Sequence, residues 1–245
     1  MCHTCLSRRS FLTLAAAGTV TGCDGPPDLV SDEQVEAMGL QAWEELRAQT
    51  APSRNRDYQG ALDQVSRRLL SAQGASLDNW EILVFASDQI NAFALPGGKI
   101  GVYEGMFDVF ANEDQLAAIV GHEIGHLGAE HAQKRMSAQV AKNAGIRLLA
   151  WILNVGDVQY ANEIAAALGL GVEVGLLLPY SRDQELEADA LGLQTMAAAN
   201  YDPREAVSLW QRMQAAQGAR GPEFLATHPA PDSRIRQIED ILQTL

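Results

Sequence analysis

The motif His122-Glu123-Ile124-Gly125-His126 constrains this chain more than any other feature of its sequence. Its surroundings predict one helix over 112–135, with Asn112 as the N-cap and acidic residues in the first turn. On a helix, side chains four residues apart lie about 40° apart around the axis and about 6 Å apart along it, so both imidazoles can reach one ion. The motif therefore predicts a metal-binding helix, although two histidines of an ordinary core would give the same spacing.

Glu123 follows the first histidine by one residue, which places its carboxylate beside the metal ion. There it can take the proton from a zinc-bound water. Three of the five histidines of the chain lie on this segment, which favours a metal site. The third, His131, is predicted to be an exposed histidine of the last turn, with a contact to the metal site as the alternative. One zinc ion is expected because imidazole and carboxylate suit it, although the spacing leaves other divalent ions open.

A catalytic zinc takes three protein ligands and keeps one position open. A metzincin would need Gly at 129 and His at 132, and alanine at both positions excludes that class. Glu185 and Asp189 instead lie four residues apart, on one face of a predicted helix. Glu185 is predicted as the third ligand, and Asp189 as the acceptor for the second ring N–H of a ligand histidine. The alternative is a solvated acidic face, and Glu187 between them is expected to have no role.

The pattern of apolar residues predicts an α+β fold that is mostly helical. Two amphipathic segments near the N-terminus are predicted as helices, 31–48 and 58–72. Three short apolar segments are predicted as strands, 82–85, 90–95 and 99–103. Pro96-Gly97-Gly98 separates the last two, which predicts a hairpin. Beyond Gly105 the pattern is almost wholly helical, so a small sheet beside the metal-binding helix is expected.

The N-terminus has the features of a bacterial lipoprotein signal. Arg8 and Arg9 form a twin-arginine pattern ahead of a short apolar run, and Val20-Thr21-Gly22-Cys23 resembles a lipobox. Residues 1–22 are therefore predicted to be a signal peptide, 23–30 a lipid-anchored tether and 31–245 a single domain, with N-terminal helices over 31–75 and a catalytic core over 80–245. The alternative is an ordinary buried first helix. The other two cysteines lie within the signal, so neither a disulfide nor a zinc thiolate is expected.

Charge and hydropathy narrow the partners of the chain. The formal net charge is −13, which argues against nucleic-acid binding because no positive field is present to release counterions. The apolar segment 164–178 is shorter than the roughly 20 residues of a spanning helix. It is predicted to be a buried helix, and partial contact with lipid is the alternative.

These motifs resemble the HtpX-like and CAAX-prenyl-protease-like family of gluzincin zinc metallopeptidases, metallopeptidase family forty-eight. The matching segments are Asn91-Ala92-Phe93, Pro96-Gly97-Gly98, 121–126, 180–189 and Thr227-His228-Pro229. The resemblance implies that His122, His126 and Glu185 bind zinc and that Glu123 is the catalytic base. It also implies a zincin-like core in which Asn91 and Ala92 lie on an edge strand that holds the substrate backbone. HtpX and the prenyl proteases are polytopic, whereas no spanning segment is predicted here, so the chain resembles the periplasmic lipoprotein branch.

His228 has three interpretations. It could be a surface histidine, it could donate a hydrogen bond to the oxyanion of the reaction, or it could occupy the open zinc position until substrate moves it. The resemblance implies an endopeptidase that cuts unfolded or misassembled envelope proteins. The alternative is an envelope chaperone or assembly factor with a latent zinc site. The expected location is the periplasmic side of the envelope, anchored at Cys23, with the inner membrane favoured because Asp24 follows the cysteine.

Overall fold

The computed structural model describes residues 29–76, 78–141, 180–216, 223–229 and 232–245. The predicted signal peptide, the lipidated cysteine and the apolar segment 164–178 lie outside the described residues. Within them the fold is mostly helical with one small sheet, which confirms the predicted class. None of the described helices is both long and apolar enough to cross a membrane.

Two helices precede the sheet, as predicted. Helix α1 (Asp32–Gln49) begins with a capping box, in which Ser31 accepts a hydrogen bond from the backbone of Gln34 and the Gln34 side chain accepts one from the backbone of Ser31. Helix α2 (Arg56–Ala72) begins two residues before the predicted start, because the Asn55 side chain caps its first N–H groups. Both helices pack on the sheet.

The sheet has three short strands in the order β1-β3-β2. They are β1 (Glu81–Phe85), β2 (Ala92–Leu95) and β3 (Lys99–Tyr103). Strand β2 pairs with β3 in antiparallel register through a turn that contains Gly97 and Gly98, both at positive φ, so the predicted hairpin is confirmed. Strand β1 pairs with β3 in parallel. Among the described strands β2 therefore lies at an edge, with one side available for other contacts.

The two faces of the sheet bury different partners. The face that carries Val84, Ile100 and Val102 belongs to the main core, together with apolar residues of α2 and of the helix that is predicted to bind metal. The opposite face is covered by Trp43 of α1, whose ring lies edge-on to Phe85 with 5.4 Å between the centroids. Alternation of side chains along each strand produces this division. Helix α1 is thus held beside β2.

The predicted single helix over 112–135 is wrong, because the structure divides it in two. Helix α3 (Glu113–Gly128) begins at Asn112, whose side chain accepts a hydrogen bond from a backbone N–H of the first turn, as predicted. It ends at Gly128, and Glu130 adopts a left-handed φ of 55°. A second helix, α4, then covers 131–141. Polar and apolar residues continue in helical spacing across the break, so the periodicity gives no sign of it.

Four more α-helices follow: α5 (Arg182–Ala198), α6 (Glu205–Ala215), α7 (Glu223–Thr227) and α8 (Asp232–Leu242). A short 3-10 helix (Glu104–Asp108) links β3 to α3. Helices α3 and α5 cross at small residues. A Cβ on Gly125 would lie 2.6 Å from the carbonyl oxygen of Ala188, and one on Gly192 would lie 2.9 Å from the carbonyl carbon of Gly121. The two backbones therefore come close enough for side chains of α5 to reach the histidines of α3.

Candidate metal centre

Four buried side chains from three separate parts of the chain converge on one point. His122 and His126 lie on α3, Glu185 lies in the first turn of α5, and His228 follows α7. One potential ligand atom from each lies within 4.8 Å of the others. Each of the four residues is at most 3% exposed. The structure thus brings the three predicted ligands and His228 together, and the interpretation of His228 as a surface histidine is wrong.

The ligand atoms face one another. The Nε2 atoms of His122 and His126 are 3.0 Å apart. The carboxylate of Glu185 lies 3.4 Å from His126 Nε2 and 3.6 Å from His122 Nε2. Nδ1 of His228 lies 3.1 Å from Glu185 Oε1 and 3.3 Å from His122 Nε2. Imidazole nitrogen and carboxylate oxygen are the donors that zinc prefers, so the residues fit that ion.

The environment keeps His126 and Glu185 in the states that bind metal. Burial lowers the pKa of His126 to about 2, so the ring is neutral and keeps a lone pair. Burial works to raise the pKa of Glu185, but hydrogen bonds to His126 and His228 and the charges of His122 and Arg234 outweigh it. The pKa of Glu185 is therefore below its usual value and the group is ionised.

Each ligand histidine of α3 has a contact at its other ring nitrogen. Nδ1 of His122 lies 2.9 Å from Asp189 Oδ1, which is the contact expected from the sequence. Nδ1 of His126 lies 2.8 Å from Nδ1 of His131. Both contacts leave the Nε2 atoms directed at the common point.

The prediction that His131 is exposed is wrong. Its side chain is completely buried. On a continuous helix, five residues would place it about 140° around the axis from His126. The break at Glu130 instead turns the chain back, so that His131 packs against His126. Glu187, which was expected to have no role, is exposed, and its carboxylate lies 3.1 Å from His131 Nε2.

Arg234 is the second residue that the sequence analysis missed. Its guanidinium donates to both carboxylate oxygens of Asp189, at 2.7 and 2.8 Å, and forms an ion pair with Glu185. It also lies 3.8 Å from the centroid of the Trp210 ring. The side chain is 2% exposed. One sequence signal was available: Arg234 lies one turn before buried Ile238, on the apolar face of α8, where a solvated arginine would not be expected.

Arginine side chains balance only part of the negative charge of this group. Burial works to raise the pKa of Asp189, but the charge of Arg234 outweighs it and lowers that pKa. When ionised, Glu123, Glu185 and Asp189 carry three negative charges, whereas Arg234 and the nearby Arg135 carry two positive charges. A bound cation would offset the negative charge that remains.

Glu123 lies between the ligand cluster and the sheet. Its Oε2 accepts a hydrogen bond from the backbone N–H of Ala94 in β2, at 3.1 Å. Its Oε1 is buried, has no hydrogen-bond partner among the described residues and lies 3.5 Å from Nε2 of His228. Burial raises the pKa of Glu123, although the charges of His228 and His122 oppose this. A carboxylate with a raised pKa and one free oxygen is suited to accepting a proton.

A cleft of about 390 Å³ leads along β2 to Glu123 and His228. Its walls come from α1, β2 and the start of α4, and include Ala42, Leu46, Phe93, Leu95 and Ala132. Asn91 and Ala92, the residues predicted to hold substrate, also line it. The N–H of Ala92 is bonded to the Asn91 side chain at 2.9 Å, while the Asn91 carbonyl accepts from Tyr103. Since alternate residues of an edge strand point away from their neighbour, Ala92 and Ala94 direct their carbonyl oxygens at the cleft.

Sequence similarity to known proteins covers most of this chain. The sequence profile of Peptidase family M48 matches residues 56–242. The mitochondrial metalloendopeptidase OMA1 of Schizosaccharomyces pombe is 38% identical over 183 residues, which cover 74% of this chain and 52% of that protein. OMA1 of Bos taurus is 34% identical over 179 residues, which cover 69% of this chain and 34% of that protein. The β-barrel assembly-enhancing protease of Escherichia coli K12 is 28% identical over 183 residues, covering 71% and 37%.

This chain therefore spans about half, or less, of the length of these relatives. The profile match nevertheless covers most of the chain and contains the whole ligand cluster, Glu123 and the edge strand. The family implied by the sequence motifs is thus confirmed: the chain belongs to Peptidase family M48.

Proposed function

We propose that this chain is a zinc endopeptidase in which His122, His126 and Glu185 hold the metal and Glu123 is the base. The observation that carries the proposal is the position of Glu123. Its carboxylate lies beside the ligand cluster at the inner end of a cleft, and an edge strand holds one of its oxygens. A structural zinc site has no use for a buried carboxylate in that position.

The chain's own residues account for the proton transfers. Zinc, when bound, supplies a Lewis acid that polarises the scissile carbonyl and lowers the pKa of the attacking water. Oε1 of Glu123 accepts the proton of that water, while the Ala94 N–H holds Oε2 in place. Glu123 then returns the proton to the leaving amine nitrogen. Asp189 keeps His122 oriented during these steps by accepting its Nδ1–H.

The proposed substrates are unfolded or misassembled proteins. An extended peptide can pair with the carbonyl oxygens of Ala92 and Ala94, as in strand addition to a sheet edge. Folded proteins rarely offer a free extended segment. Apolar side chains of such a peptide would contact Leu46, Phe93 and Leu95 along the cleft. Unfolded chains expose side chains of this kind.

The proposed location is the bacterial cell envelope, on the periplasmic side. The support is the lipoprotein pattern that ends at Cys23, and Asp24 favours the inner membrane. One relative is named a β-barrel assembly-enhancing protease of a bacterium, which suits this location, whereas others are named mitochondrial. The N-terminal pattern therefore carries the placement, and the relatives support only the peptidase.

The second candidate is an envelope chaperone or assembly factor with a latent zinc site. His228 favours it, because its Nδ1 lies among the ligand atoms and would close the fourth zinc position. A zinc ion with four protein ligands has no position for substrate. The two candidates differ in whether peptide bonds are cut.

One experiment separates them. Zinc content and casein hydrolysis are measured for the full-length chain in membranes and for a soluble form that begins at Asp24. The Glu123→Gln variant serves as the control, because it removes the base and keeps all ligands. We expect near-normal zinc and a loss of about 10²–10⁴-fold in hydrolysis. Equal hydrolysis by Glu123→Gln would refute the assignment of the base, and no hydrolysis by zinc-loaded wild-type protein would favour the latent site.

A further inference from the structure

We infer that His131 and Glu187 are positioning residues for the metal ligand His126, because together they fix which of its ring nitrogens carries the proton. The inference rests on the proposed metal site, but it does not depend on which substrate is cut. Asp189 performs the corresponding task for His122. Helix α5 would then orient both histidines of α3, one directly and one through His131.

The contacts form a chain of three groups. Oε2 of Glu187 lies 3.1 Å from Nε2 of His131, and Nδ1 of His131 lies 2.8 Å from Nδ1 of His126. At a contact between two ring nitrogens, one must donate and the other must accept. Two arrangements of the protons are therefore possible, and only one leaves Nε2 of His126 free to bind the metal.

The carboxylate selects that arrangement. A carboxylate oxygen accepts the hydrogen bond in such a contact, so the contact with Glu187 places the proton of a neutral His131 on Nε2. Nδ1 of His131 then carries a lone pair and accepts the Nδ1–H of His126. The proton of His126 is thereby held on Nδ1, and its Nε2 lone pair faces the other ligands, 3.4 Å from Glu185 Oε1. Without the carboxylate, His131 could carry its proton on Nδ1 and donate it to Nδ1 of His126. The proton of His126 would then lie on Nε2.

Burial makes the selection effective. His131 is completely buried and His126 is 2% exposed, so bulk water is not at hand to replace either partner. Glu187, at the other end of these contacts, is not buried, because its side chain is 52% exposed. An exposed carboxylate thus controls a buried ligand, and it can be replaced without opening a cavity in the core.

The first test measures zinc affinity of the full-length chain by competition with a chelating dye. For Glu187→Leu we expect a Kd for zinc about 10-fold higher, or more, as is typical when a partner of a metal ligand is lost. Glu187→Gln should retain most of the affinity, because its amide oxygen can still accept from His131. The matched control is Asp183→Leu, at an exposed carboxylate one turn earlier on α5, and it should leave the Kd unchanged.

A double-mutant cycle then tests whether Glu187 acts through His131. His131→Leu should also weaken zinc binding, and Glu187→Leu should have no further effect in that background. A Kd for Glu187→Leu within twofold of the wild-type value would overturn the inference. So would a double variant whose Kd is raised by the product of the two single effects. The readout is metal affinity, so it can be scored in the inactive Glu123→Gln background as well. If the protein proved not to hydrolyse peptides, the measured effect of Glu187 on zinc affinity would still stand. If Glu187 proved to have no such effect, the proposed peptidase activity would be unaffected.

Discussion

Three carboxylates at the centre have different tasks because their neighbours differ. Glu123 accepts one backbone N–H and keeps a free oxygen, and burial raises its pKa. Glu185 faces the ligand histidines and is ionised. Asp189 is held by both donors of one guanidinium, which leaves its carboxylate to orient His122. In the proposed mechanism the same functional group thus serves as base, ligand and orienting acceptor.

Substitution of Glu185 is expected to reduce zinc affinity more than substitution of Asp189. Glu185→Ala should lose the metal, because one of the three proposed ligands is gone and Arg234 keeps only Asp189 of its two carboxylate partners. Asp189→Asn should weaken zinc affinity by roughly 10–100-fold, because the amide still accepts from His122 but pairs poorly with Arg234. Chelator competition measures both values. If Asp189→Asn lost the metal completely while Glu185→Ala kept it, the two roles would have to be exchanged.

His228 is expected to restrain the enzyme. Its Nδ1 lies among the ligand atoms, so we expect it to fill the fourth position until substrate moves it. If the open form is 1–10% populated, His228→Ala should raise turnover by about 10–100-fold and also loosen zinc. Steady-state peptidase assays and zinc titration measure the two effects. Were His228 a donor to the oxyanion instead, turnover would fall by about 10²–10³-fold with zinc affinity unchanged.

At the scale of elements, the crossing of α3 and α5 sets the distance between histidines and carboxylates. Gly125→Ala should destabilise the protein by about 1–3 kcal/mol, because the added Cβ would lie 2.6 Å from the carbonyl oxygen of Ala188. It should also weaken zinc binding, since the helices must separate. Urea unfolding and chelator competition measure these effects.

Gly128→Ala, on the same helix, is the matched control. A Cβ at Gly128 would meet no atom within 4 Å, so this change should stabilise the protein by up to about 1 kcal/mol. Equal effects of the two substitutions would show that close packing at the crossing is not what matters.

The sequence predicted those parts of the site that lie on one helix or within one turn. Spacing placed His122 and His126 on one face, and the Pro96–Gly98 turn predicted the hairpin. It did not predict the left-handed residue at Glu130, because the apolar periodicity continues across it, and so the burial of His131 was missed. Arg234 was missed for another reason. Its partners are 45 and 49 residues away, and only the packing of α8 brings them together.

At the scale of the whole molecule, the matched family range begins at residue 56 and leaves out α1. This helix nevertheless belongs to the site. Trp43 covers one face of the sheet, while Ala42 and Leu46 line the cleft. The same helix also links the fold to a predicted anchor. If Cys23 is lipidated, the seven residues from there to Val30 reach at most about 24 Å, so the start of α1 would lie within about that distance of the bilayer surface.

Replacement of Cys23 tests this arrangement. Cys23→Ser should move the protein from the membrane to the soluble fraction and leave peptidase activity unchanged, because the lipid and not the fold attaches it. Cys5→Ser, within the predicted signal peptide, should leave attachment unchanged. Fractionation and a peptidase assay on both fractions measure the outcome. A soluble wild-type protein would contradict the prediction of a lipid anchor.

The origin of the ligands in three separate parts of the chain has a mechanical consequence: a bound ion acts as a removable cross-link. Between α3 and α5, a bound ion would add to the close contact of the two helices at their glycines. Within the described residues, segment 223–229 has no helix crossing of that kind. It is one short helix, held by the buried ring of Phe224 and by backbone hydrogen bonds from Phe224 to Ile90 and from Tyr180 to Thr227.

Chelation should therefore release this segment first. We expect amide hydrogen exchange to accelerate around Thr227 and His228 when zinc is removed, while the amides of β2 and β3 keep their protection. Mass spectrometry of exchange with and without chelator measures this. Uniform acceleration over the whole chain would mean that the ion supports the entire fold. Loss confined to 223–229 would mean that metal supply sets how firmly His228 is held over the cleft.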